Sequence, residues 1–98
     1  MNNIKQLAKV YKALGNTNRL QILVYINENP GCIGNDLIKV TGLAQATISQ
    51  HLSELKISGI IKGKKEGKKT SYWVDLDKCY ETKQLSSSFL QALLEHAI

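Results

Sequence analysis

The segment that decides the fold is Thr41-Gly42-Leu43-Ala44 followed by Gln45-Ala46-Thr47-Ile48-Ser49-Gln50-His51-Leu52-Ser53-Glu54-Leu55-Lys56-Ile57-Ser58-Gly59. Ile48, Leu52 and Leu55 fall at i, i+4 and i+7, which places one apolar stripe on a helix that Gly59 closes as a C′ glycine. The opposite face, with Gln45, Ala46, Thr47, Ser49, Gln50 and Ser53, is polar but uncharged. Just upstream, Asp36, Leu37, Ile38 and Val40 form a short helix stopped by Thr41-Gly42, so two helices meet across a turn of a few residues. A helix that enters the major groove needs side chains able to read base edges without burying an unpaired charge. Gln can pair bidentately with adenine, Ser and Thr donate or accept, and the Ala46 and Thr47 methyls can meet a thymine methyl. The expected base-reading residues are therefore Gln45, Ala46, Thr47, Ser49, Gln50 and His51. Any amphipathic surface helix is polar outside, so the flanking sequence has to decide.

Upstream, Ile4, Leu7, Ala8, Val10, Tyr11 and Leu14 repeat at helical intervals up to Gly15. Asn16, Thr17 and Asn18 offer capping side chains for a second helix, whose run Leu20, Ile22, Leu23, Val24 and Ile26 reads as the buried centre before Asn29-Pro30-Gly31 breaks it. Downstream the period changes. Ile60-Ile61-Lys62 and Thr70-Ser71-Tyr72-Trp73-Val74 are β-prone runs around Lys65-Glu66-Gly67-Lys68, a hairpin with lysines at its tip. Leu85, Phe89, Leu90, Leu93, Leu94 and Ala97 then mark a terminal helix starting between Asp77 and Tyr80. The order helix, helix, helix, turn, helix, hairpin, helix predicts a mainly α fold with a small β-hairpin, a winged helix-turn-helix with an extra helix at each end. Residues 1–98 are read as one domain, with 1–14 and about 77–98 as the added helices.

Thirteen Lys and Arg against eight Asp and Glu give a net charge of +5, and its distribution is uneven. Residues 62–69 carry five lysines and one glutamate, whereas residues 70–98 carry two lysines and four acids. Lys62, Lys64, Lys65, Lys68 and Lys69 beside a polar, uncharged helix suit phosphates or the adjoining minor groove better than a merely solvated run does. With 98 residues there is no room for a second catalytic domain, and 43% hydrophobic with 21% charged residues is an ordinary globular balance. No GxSxG, HExxH or phosphate loop is present, so an enzyme is not expected. The absence of a long apolar window and of a signal-peptide core predicts a cytoplasmic chain with no membrane partner. A chain this short has a thin margin of buried surface, which a partner subunit would widen.

Three blocks resemble the ArsR/SmtB family of small winged-helix repressors: Ala13-Leu14-Gly15-Asn16-Thr17-Asn18-Arg19-Leu20-Gln21-Ile22-Leu23, then Gly42 through Leu52, then Gly59-Ile60-Ile61 leading through Glu66-Gly67 to Tyr72-Trp73-Val74. The resemblance spans nearly the whole chain. It implies a homodimer joined through the first and last helices, each recognition helix entering half of an inverted repeat in double-stranded DNA, with repression relieved by an effector. The terminal stripes supply the expected interface residues Leu7, Tyr11, Phe89, Leu90, Leu93 and Leu94. Core packing within one chain would explain the same stripes. Two departures stand out. Ala44 occupies the position usually held by Ser in the family's turn and cannot cap the recognition helix with a side chain. Where metal-sensing members place two cysteines before an Asp-Leu pair, this chain has Ile33-Gly34-Asn35-Asp36-Leu37, with the single Cys32 one place earlier.

Some relatives sense oxidants or reactive sulfur through an early cysteine and one in the last helix, which makes Cys32 and Cys79 a candidate thiol switch. Two small buried apolar residues are the competing reading. Asp75, Asp77, Glu95 and His96 make a weak transition-metal set, so neither metal nor cofactor is expected, and the effector is left open. Arg19 reads as a structural or phosphate contact, and Trp73 and Tyr72 as packing for the hairpin. The sequence thus predicts a dimeric, sequence-specific DNA-binding repressor. A winged-helix protein-protein adaptor is the alternative.

Overall fold

The computed structural model describes residues 2–96. They form α1 (Asn2–Leu14), α2 (Thr17–Glu28), β1 (Cys32–Ile33), α3 (Gly34–Thr41), α4 (Gln45–Ser58), β2 (Ile61–Glu66), β3 (Lys69–Val74) and α5 (Leu76–Glu95). The winged helix-turn-helix expected from the sequence is present, with one addition. The two-residue β1 joins the hairpin to give an antiparallel sheet of order β1-β3-β2, pairing Cys32 with Tyr72 and Ile33 with Ser71. Two residues are too few to show a period of their own, so the strand is invisible before its partner is known.

Local chemistry explains the boundaries. The Asn16 side chain accepts from the Arg19 amide at 3.1 Å and caps α2, and Asp75 accepts from the Lys78 amide at 3.1 Å and caps α5, which starts at Leu76, just before the expected interval. The Asp36 carboxylate accepts from the Ile33 amide at 2.9 Å and holds the entry to α3. No side chain caps the Ala44 end of α4. Gly59 ends α4 at φ +86°, a conformation that suits glycine. At the wing tip Gly67 has φ +61° while Lys68 does not go positive, the pattern of a type II′ two-residue hairpin turn.

The core is built from Val10 and Ala13 of α1, Ile22 and Ile26 of α2, Leu37 of α3, Ile48, Leu52 and Leu55 of α4, and Ile60 and Ile61 at the root of the wing. Each wholly buried Ile or Leu contributes about 1.5–3 kcal/mol relative to an exposed one. The second helix is less buried than its apolar run suggests. Ile22 and Ile26 lie inside, but Leu20 and Val24 are about half exposed. None of the described α5 residues is buried in the single chain, and Phe89, Leu90, Leu93 and Leu94 stand exposed. Ala97 of that stripe lies outside the described residues. No described helix is long and apolar enough to cross a membrane.

Candidate nucleic-acid interface

The core contacts of Ile48, Leu52 and Leu55 fix the rotation of α4 about its axis, and with it which side chains face outward. Gln45, Ala46, Ser49, Gln50 and Ser53 are exposed along one face, and Thr47 is half-buried at its flank. The hairpin stands beside this face. Its register pairs Ile61 with Val74, Lys62 with Trp73, Lys64 with Ser71 and Glu66 with Lys69, so the lysines are spread from root to tip. Lys62 sits near the wing root, so the five lysines are not confined to the tip. All five wing lysines are exposed. Lys64 lies 3.4 Å from Glu66, an exposed pair that offsets part of its charge.

α4, the start of α3 and the wing enclose a groove of about 260 Å³. Gln45 and Ser49 line one wall, Lys68, Lys69 and Thr70 the other, and Ile48, Leu52 and Tyr72 also contribute to its lining. Asn35, at the start of α3, lines the same groove. Neither Asn35 nor Thr70 stands out in the sequence as a site residue. The available signal was positional, since Asn35 opens the first helix of a helix-turn-helix, the helix that crosses the DNA backbone in such motifs.

His51 is corrected by the structure. It is only 9% exposed, and its Nδ1 lies 3.3 Å from Arg19 Nη1. Arginine has no acceptor, so the guanidinium donates and the ring is the neutral tautomer with hydrogen on Nε2. Arg19 also donates through Nε to the Ala13 carbonyl at 2.6 Å and through Nη2 to the Lys12 carbonyl at 3.2 Å. One side chain thereby joins the end of α1, the start of α2 and the middle of α4. The position of His51 follows from its spacing, three residues after Ile48 and four before Leu55, which puts it on the apolar side.

Burial first, and the Arg19 charge second, hold the His51 pKa below the ordinary imidazole value of 6.5. Below that value the unfolded chain takes up a proton that the folded chain refuses, so stability falls as pH drops from 6.5 toward the depressed folded pKa. Urea midpoints measured between about pH 7 and about pH 5.5 should decline more steeply for the wild type than for His51→Gln. Equal declines would place the acid sensitivity in other groups.

The remaining expected sites divide. Cys32 is buried and Cys79 half-buried, each against the core, and both are free thiols. Burial is the main reason both pKa values are raised, with Asp36 adding to it at Cys32 and Asp75 at Cys79. A raised pKa lowers the thiolate fraction, the opposite of what a reactive sensor thiol needs. Leu7 is also corrected as an interface residue, because at 5% exposure it is already covered within its own chain, in a pocket shared with Leu85, Ser88 and Phe89. Tyr11 is 40% exposed and its hydroxyl bonds to Ser86 of α5. Among the described residues no group of three or more His, Cys, Asp or Glu side chains is arranged to hold a metal ion.

Comparison with known proteins agrees with this geometry. A family model described as bacterial regulatory protein, arsR family, matches residues 16–62. The chain is 36% identical over 81 residues to an uncharacterized HTH-type transcriptional regulator of Methanocaldococcus jannaschii, covering 83% of this chain and 91% of that one. It is 30% identical over 93 residues to the transcriptional activator HlyU of Vibrio cholerae, covering 95% and 75%. Among solved structures, the solution structure of a homodimeric winged helix-turn-helix DNA-binding domain from Mycobacterium bovis superposes with a TM-score of 0.72 at 27% identity, covering 97% of this chain and 88% of that one.

Proposed function

The chain belongs to the ArsR family of transcriptional regulators, and from that membership we propose that it is a homodimeric, sequence-specific repressor that binds an inverted repeat in double-stranded DNA and is released by an effector. It acts by binding and not by catalysis. The observation that carries the proposal is the groove in which the polar face of α4 meets the lysine-bearing wing. With α4 in the major groove, the sugar-phosphate strand beside it runs along this groove, and the wing reaches the adjoining minor groove. Gln45, Ala46, Ser49 and Gln50, with Thr47 at the flank, carry specificity. Lys62, Lys64, Lys65, Lys68 and Lys69 carry affinity. His51 acts from inside, holding α4 in place through Arg19.

The homodimer is supported by the apolar end of α5, where Phe89, Leu90, Leu93 and Leu94 remain 40–67% exposed among the described residues. Their positions on a terminal helix suit an isologous two-fold contact, which presents two α4 helices to two half-sites. The described homodimeric relative fits the same arrangement.

Gln50→Ala tests the division of labour. A good bidentate base contact is worth about 1–3 kcal/mol of discrimination. Competition binding should therefore show a loss of that size on the selected operator and little change on random duplex. Equal losses on the two would move Gln50 to the group of backbone contacts.

A further inference from the structure

We propose that the cavity between α1, α2, α5 and the root of the wing is a binding site for a small amphipathic organic anion, a carboxylate on a hydrocarbon body. The cavity holds about 620 Å³, within the roughly 300–1,000 Å³ range of small-molecule sites. Its walls include Leu23, Val24, Ile60, Val74 and Cys79. Asn27, Thr82 and Lys83 supply polar groups, and Lys83 is the one charged side chain among the described lining residues. An apolar lining with a few polar groups and a single cation selects a hydrocarbon body with one negative head. Among the described lining residues there is no histidine or carboxylate, which disfavours a metal ion, and one cation is too few for a nucleotide's phosphates.

The site borders the expected dimer contact, because Tyr11 is among its lining residues. The α5 residues that line it lie between Leu76 and Ser86, on the N-terminal side of the Phe89, Leu90, Leu93 and Leu94 cluster, although Leu76 and Tyr80 are exposed as well. It also explains a surface feature the core leaves unused, the half-exposed Val24 on a helix whose neighbours Ile22 and Ile26 are buried.

Occupancy would reach the wing through its root. Ile60 follows the Gly59 cap of α4, its carbonyl accepts from the Asp75 amide at 2.8 Å, and Val74 pairs with Ile61 as the first rung of the hairpin. A ligand wedged against Ile60 and Val74 changes the angle between the wing and α4, and hence the fit of the groove to a phosphate strand. Binding in the cavity is independent of the DNA-binding reading, but its coupling to the wing rests on that reading.

The test is calorimetric titration of the full chain with decanoate below its micellar range, with decanol as the neutral control. The expected result is saturable binding of one decanoate per protomer. Lys83→Ala should weaken decanoate by about fivefold, the upper range for an exposed ion pair, and leave decanol unchanged. Val24→Trp fills the cavity from the surface and should abolish both, with melting temperature and sedimentation unchanged. Absence of saturable heat, or equal binding in all three proteins, overturns the site. Conversion of the dimer to monomers by Val24→Trp also overturns it and assigns the cavity to a second copy. A parallel DNA competition is expected to show decanoate altering wild-type affinity but not that of Val24→Trp. Binding with unchanged DNA affinity would overturn the coupling alone.

Discussion

Replacing Lys62, Lys64, Lys65, Lys68 and Lys69 by glutamine is expected to lower affinity for duplex DNA on the order of a thousandfold at about 0.15 M salt, with the fold unchanged. The magnitude follows from counterion release. If a dimer neutralises ~8 phosphates, log affinity falls with log salt at a slope of about −7. If the two wings supply about half of these contacts, the slope becomes roughly −3.5, and the difference extrapolated from 1 M to 0.15 M is about three decades. All five lysines are exposed and none supports the core, so thermal unfolding should be unaffected. Because Lys64 is partly offset by Glu66, Glu66→Gln should tighten binding modestly. Binding isotherms over a salt series check both, and an unaltered slope in the five-fold variant would remove the wing from the interface.

The second large effect is on stability. Arg19→Ala should destabilise the chain by about 2–3 kcal/mol, because it removes three charge-assisted hydrogen bonds that join α1, α2 and α4. Two of the acceptors are carbonyls in the last turn of α1, where a cation also complements the helix dipole. The third is the His51 ring, left in a nearly closed site without its donor. In a domain of this size such a loss lowers Tm by roughly 10–20 °C. Arg19→Lys should recover only part of it, since an ammonium cannot span three acceptors with the fixed fork of a guanidinium. DNA affinity measured well below the melting range should fall less than stability does. A Tm within a degree or two of wild type would show that the network contributes little.

Much of this was legible because the decisive features are local. The Ile48, Leu52, Leu55 stripe oriented α4, Gly42 and Gly59 bounded it, and Gly67 between lysine-rich β-prone runs marked the hairpin. What remained hidden depends on partners distant in sequence. β1 exists only because Cys32 and Ile33 pair with Tyr72 and Ser71. The apolar run of α2 looked wholly buried, yet Leu20 and Val24 turn outward because the core lies on the Ile22 and Ile26 side. His51 was read with the polar face by residue type, although its spacing from Ile48 and Leu55 already placed it inward. Leu7 was assigned to a partner surface when α5 of its own chain covers it, a distinction that helical periodicity alone does not draw.

Under the proposed function, α4 and the wing form one DNA-reading surface presented twice by a two-fold dimer. Selection from a genomic fragment library at low salt, followed by footprinting of the recovered sites, tests it most directly. The expected result is an inverted repeat whose half-sites lie about one helical turn apart, roughly 34–36 Å centre to centre, or a small multiple of that. Failure to enrich any site at low salt would contradict it and leave the adaptor reading in its place.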